Sequence, residues 1–88
     1  MNAPAPSPPP ERRPLFMWTV YDHPADHPDF YVARLFKADG GRAYVSTSEY
    51  LLSPDLITLR EALVVEKGMS VRLDRQPGDN PVIVEVWL

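Results

Sequence analysis

The chain contains no cysteine. Disulfide staples and thiolate metal centres are therefore excluded, and the absence fits a reducing compartment. Glycine is scarce, four in 88 residues. No glycine-rich phosphate-binding spacing occurs, and Gly40-Gly41 stands alone as a hairpin turn. No run approaches the eighteen or so apolar residues of a membrane span. The start of the chain lacks the basic and then apolar stretch of a secretion signal, with proline standing where leucine and alanine should be. The cytoplasm is the expected compartment.

Positive charge is also in deficit: nine Lys and Arg against twelve Asp and Glu, a formal net charge of −3. Setting aside Glu11, Arg12 and Arg13 leaves eleven acids and seven bases, a balance near −4. Nucleic acid and anionic lipid are captured by basic patches, so neither is an expected partner. Aromatic stacking of bases on a sheet, as in RRM-type domains, is disfavoured for the same reason.

Proline, by contrast, is abundant and uneven. Six of the eleven prolines lie in Met1–Pro14, which has almost no large apolar side chain. Such a segment cannot bury enough apolar area to offset its ordering entropy, so it reads as a disordered arm with polyproline II bias at Pro8-Pro9-Pro10. From Leu15 onward short apolar runs take over, giving one folded unit over 15–88. A domain of this size buries only about 60% of its unfolded surface and is marginal. Its stability has to come from packing, with self-association as one route to more burial.

Within 15–88 the pattern is mostly that of strands. Phe16–Tyr21 is aromatic and β-branched and ends at Asp22-His23-Pro24; Phe30–Phe36 is a second strand. Asp39-Gly40 suits a type I′ turn. The third strand then lies either near Arg42–Thr47 or at Glu49–Leu52. Ser53–Gly68 is the helix candidate. It carries two competing starts, Ser53-Pro54 and the capping-box spacing Thr58…Glu61, with Gly68 as the stop. Leu59 and Leu63 share one helical face, joined by Leu56 if the helix starts early. Met69–Asp74 alternates as a half-buried strand, Gln76–Pro81 is a turn with a type II Pro-Gly pair, and Val82–Leu88 is the last strand. The order β-β-(β)-α-β-β predicts an α+β domain: an antiparallel sheet of four to five strands with one helix on one face.

The segments Trp18–Pro24, Phe30–Arg34, Leu59-Arg60 and Pro81–Leu88, taken in that order, resemble a family of small bacterial proteins of unknown function. The resemblance spans nearly all of the folded part. It implies a bacterial, cytoplasmic origin and transfers no activity, ligand or site residue.

Three places could carry chemistry. In Asp22-His23-Pro24-Ala25-Asp26-His27-Pro28-Asp29 two imidazoles and three carboxylates crowd eight residues. Asp22, His23, Asp26 and His27 could in principle ligate a metal or serve a small-molecule enzyme. Pro24 and Pro28 break any helix there, however, and a turn built by Asp and Pro is the simpler reading. Arg60 falls inside the apolar arc of the helix, so it must snorkel, meet a carboxylate, or contact an anion. No nucleophile elbow or paired carboxylates are present, and a domain this small seldom builds a deep pocket. No enzyme, catalytic residue, metal or cofactor is expected.

The third place is the sheet face away from the helix. If the valines of the last strand meet the helix, Ile83, Glu85 and Trp87 face outward, with Arg72 beside them and Arg34 or Tyr31 joining according to strand order. Such a face is either covered by the Asp22–Asp29 loop as a second small core or offered to a partner, since Trp, Tyr and Arg dominate interface hot spots. The expected function is a small non-catalytic binding or protein-interaction module. Its partner would be another copy of the chain or another protein, engaged through Trp87, Ile83, Glu85, Arg72, Arg34 and Tyr31.

Overall fold

A computed structural model of the chain describes residues 15–38 and 44–88. The proline-rich arm and the Asp39-Gly40 turn lie outside the described residues. Five strands and one helix follow in the order β1 (Leu15–Asp22), β2 (Tyr31–Ala38), β3 (Val45–Ser53), α1 (Leu56–Val65), β4 (Arg72–Asp74) and β5 (Ile83–Trp87). They form a single antiparallel sheet, ordered β3-β2-β1-β5-β4, with α1 against one face. This is the α+β architecture read from the sequence.

β1 is the central strand, paired on both sides. It pairs with β2 along its whole length, from Leu15 opposite Ala38 to Asp22 opposite Tyr31. On its other side it receives β5, with Trp18 opposite Trp87 and Val20 opposite Glu85. The register then slips, so that Tyr21 faces Ile83 and Val84 becomes the extra residue of a bulge. A wider irregularity interrupts β2 and β3. Arg34 faces Tyr50 and Phe36 faces Ser46, which leaves Leu35 alone opposite Thr47–Glu49. The Thr47 hydroxyl makes good the lost ladder bonds: it donates to the Leu35 carbonyl (3.0 Å) and accepts from the Glu49 amide (3.1 Å). Val45–Thr47 of the first candidate and Glu49–Leu52 are thus parts of one nine-residue strand, joined across the bulge, while Arg42 and Ala43 lie outside the described residues.

The helix begins at neither of the expected starts. Asp55 is the N-cap: its carboxylate accepts from the Thr58 amide (3.1 Å) and hydroxyl (2.7 Å). Ser53 instead accepts from the Asp55 amide and shapes the entry (3.1 Å). The stop is as anticipated. Gly68 takes φ +70, and across it the chain folds back so that the Met69 amide bonds the Leu63 carbonyl at 2.9 Å. Gly68 is the one positive-φ glycine among the described residues. The turn closed by Asp79 N–H to Gln76 C=O (3.0 Å) is therefore not type II, which would need positive φ at Gly78.

The main core lies between α1 and the sheet. Leu59 and Leu63, fully buried, meet Trp18 and Val20 of β1, Ala33 and Leu35 of β2, and Trp87 of β5, with Tyr31, Leu51, Leu56, Met69 and Val84 packed around them. Burying each of the two leucines contributes roughly 2–3 kcal/mol relative to exposure. β4 is a three-residue edge whose side chains are all exposed, not the half-buried strand that its alternation suggests. An edge strand has a neighbour on one side only, so alternation alone does not bury it.

Among the described residues no helix lies on the other sheet face. Cross-strand pairing sets its side chains in rows: Tyr21, Val32, Leu52 and Ile83; then Thr19, Arg34, Tyr50, Val86 and Leu73. Met17 and Phe36 begin a third row. Leu88 and Val71 continue it, exchanging both backbone hydrogen bonds (2.9 and 3.1 Å).

Candidate functional site

Two clusters hold the polar side chains that sequence reasoning singled out. The first is on the helix side. Glu85 is 1% exposed, directly under α1. Arg60 grips it at two points, Nε to Oε2 at 3.0 Å and Nη2 to Oε1 at 2.7 Å. The Trp87 indole N–H donates to Oε2 at 2.8 Å, and Arg72 Nη1 stands 3.6 Å from Oε1. Burial pushes the Glu85 carboxyl up, but the bonds from Arg60 and Trp87 and the two guanidinium charges outweigh it and hold it below its ordinary value. The Arg60 guanidinium is held above its own ordinary value, chiefly by its bond to Glu85. The carboxylate thus links α1, β4 and β5, with both of its oxygens bonded. Of the readings open for Arg60, the structural ion pair is the one observed.

This cluster overturns the facing assigned to the last strand. The valines were expected toward the helix, with Ile83, Glu85 and Trp87 outward. Trp87 is instead 8% exposed, in the main core, and Glu85 lies beside it. Val86 points to the open face opposite Thr19, and the bulge turns Val84 toward the core and Ile83 away from it. Arg72, paired with Trp87, and Tyr31, packed on the core, are also on the helix side. Of the six residues expected on the partner surface, only Ile83 and Arg34 are on the open face. The physical reason is the ion pair. A glutamate can be buried when a two-point arginine partner and an indole donor satisfy it, and that option outweighed the simpler rule of valines inward.

The second cluster is the β1–β2 connection over one corner of the open face. The turn reading holds: His27 N–H bonds Pro24 C=O (2.9 Å), Phe30 N–H bonds His27 C=O (3.2 Å), and His23 takes φ 46. Its polar side chains are used locally. Asp22 bonds His23, whose ring meets Tyr31 edge-on at 4.8 Å between centroids. Asp26 bonds Arg34; His27 Nε2 lies 4.0 Å from Asp26, and its ring is 5.5 Å from that of Tyr50. Arg34 also stands 5.7 Å over the Tyr50 ring. Burial beneath this corner raises the Tyr21 phenol above its ordinary value, a rise that nearby Arg34 opposes and Asp26 reinforces. Among the described residues no group of three or more His, Asp or Glu side chains converges as a metal site would require.

Beyond this corner the open face runs on without charge. Val32 and Thr19 are buried, whereas Leu52, Tyr50, Leu73, Val71 and Leu88 remain exposed. Sequence reasoning missed Met17, Phe36, Val86 and Leu73 as members of this surface. The signal that could have found them was Arg60 itself: its need for a carboxylate points to Glu85, which sets the facing of β5 and of every strand paired to it.

Among the described residues no helix is long and apolar enough to cross a membrane. Comparison of the chain with models of known protein families, with curated proteins and with solved structures returns no match in any of the three.

Proposed function

We propose that this protein is a small non-catalytic binding module of the cytoplasm that docks a protein partner through the sheet face opposite α1. The observation that carries the reading is that face: rows of apolar side chains across five strands, with Leu73, Val71, Leu88 and Leu52 exposed. Monomeric proteins rarely keep a contiguous apolar patch of several hundred Å² in water. The rival reading, a metal- or small-molecule-binding accessory or enzyme using the Asp22–Asp29 loop, is weakened because Asp22, His23, Asp26 and His27 already engage one another, Arg34 and two tyrosine rings.

The test is site-specific photocrosslinking in cells. A benzophenone side chain replacing Leu73, on the open face, is expected to give a discrete protein adduct, while the same group replacing Glu61, on the outer side of α1, gives none. Adducts from position 61 alone, or from neither position, would remove the support for this reading.

A further inference from the structure

We propose that the occupant of the open sheet face is a second copy of this chain, packed sheet to sheet about a two-fold axis. The inference rests on the docking reading above and names its partner.

Charge is the first argument. Arg34 is the one charged side chain in the rows of that face among the described residues, and Asp26 neutralises it. Among the described residues, Asp22, Asp26 and Asp29 sit in the β1–β2 connection at one corner of the face, and other acidic side chains lie on the helix side. Asp55, Glu61 and Glu66 lie along α1, Glu49 pairs with Lys67 just past its end, and Glu85 is buried beneath it. Two copies brought face to face therefore meet through uncharged rows, with the aspartates of the β1–β2 connection at the rim and the acids of α1 on the outer layers. A partner chosen by charge would need a charged face to read, and this one offers none.

Shape is the second argument. A two-fold interface requires a self-complementary patch. A bare face of aliphatic and aromatic rows meets that requirement by interdigitating with its own copy, two sheets about 10 Å apart as in a sandwich. Met17 and Phe36 at one end of β1 and β2 supply large side chains, with Val86 and Leu73 in the neighbouring row on β5 and β4.

Area is the third. Five strands at about 4.8 Å and three rows at about 6.7 Å give a face of roughly 20 by 24 Å. In projection the pair buries at most about 1,000 Å², since Val32 and Thr19 are already buried, which is the lower margin for a specific interface. The dimer should therefore be weak, dissociating in the micromolar range. Because it adds burial to a small core, it should also raise thermal stability as concentration rises.

The experiment is sedimentation equilibrium of the full chain from about 1 to 500 μM, with melting temperature followed over the same range. The expected result is a monomer–dimer equilibrium and a melting temperature that climbs with concentration. Leu73→Arg, an exposed edge substitution outside the core, should weaken dimerisation by at least about tenfold and flatten that climb while leaving the far-ultraviolet circular dichroism unchanged. Val65→Arg on α1 should do neither. A monomer throughout the range overturns the second copy as partner; if a crosslink from position 73 then joins a different protein, the docking reading stands without it. A dimer lost in Val65→Arg but kept in Leu73→Arg overturns both.

Discussion

Arg60 of α1 and Glu85 of β5, 25 residues apart in the chain, form a parallel two-point ion pair at 3.0 and 2.7 Å. The two partners are not equivalent. The Arg60 side chain is 34% exposed, while Glu85 is closed off from water. Arginine can turn outward if its partner is lost, but the carboxylate has nowhere to go.

That asymmetry predicts unequal costs. Arg60→Met leaves a buried carboxylate with only Trp87 and the more distant Arg72, and should destabilise the domain by about 2–4 kcal/mol. Glu85→Gln keeps an acceptor for the indole N–H and frees Arg60 to solvent, so it should cost about 1–2 kcal/mol. Urea unfolding of both variants checks the order; equal losses would show that the two groups are solvated alike.

The same pair predicts an acid limit to stability. Glu85 is held below its ordinary value of 4.5, so the folded state binds its proton less readily than the unfolded chain. Its contribution is complete above that value and is lost as pH falls through the lower, folded-state value. The stability gap between wild type and Glu85→Gln should thus be constant above about pH 5.5 and shrink below about pH 4.5. A gap that widens on acidification would contradict the assignment.

At the helix start, the Asp55 carboxylate is held below its ordinary value, chiefly by the hydrogen bond from the Thr58 hydroxyl and then by that from the Thr58 amide. Asp55→Ala should lower the melting temperature, whereas Ser53→Ala, which leaves the cap in place, should lower it less. Thermal denaturation of the two separates Asp55 from the alternative start.

The core and the outer side of α1 should respond in opposite ways. Leu63 is 0% exposed and Val65 is 79% exposed. Leu63→Ala should cost about 2–5 kcal/mol through lost burial and a residual cavity, and Val65→Ala should stay within about 0.5 kcal/mol. Comparable losses at both positions would mean that the helix is rotated from the orientation described.

Local chemistry alone determined much of this molecule. Aromatic and β-branched runs at Phe16–Tyr21 and Phe30–Phe36 can hardly do other than extend, and Gly68 stops a helix because few other residues tolerate its positive φ. Leu59 and Leu63 fall four apart and must share a face. Those facts suffice for the α+β class and the order of elements, because they depend on neighbours within a few residues. The facing of β5 was decided only by tertiary structure. Its alternation offers two faces, one of valines and one of Ile83, Glu85 and Trp87, and a period of two cannot say which is inward. Contact with α1 broke the tie, since Arg60 hangs over the sheet and brings the donors that make a buried carboxylate stable. The bulge at Val84 arose the same way, from pairing with β1 that is invisible within β5 itself. The composition of the open face, and with it the surface offered to a partner, followed from that long-range choice.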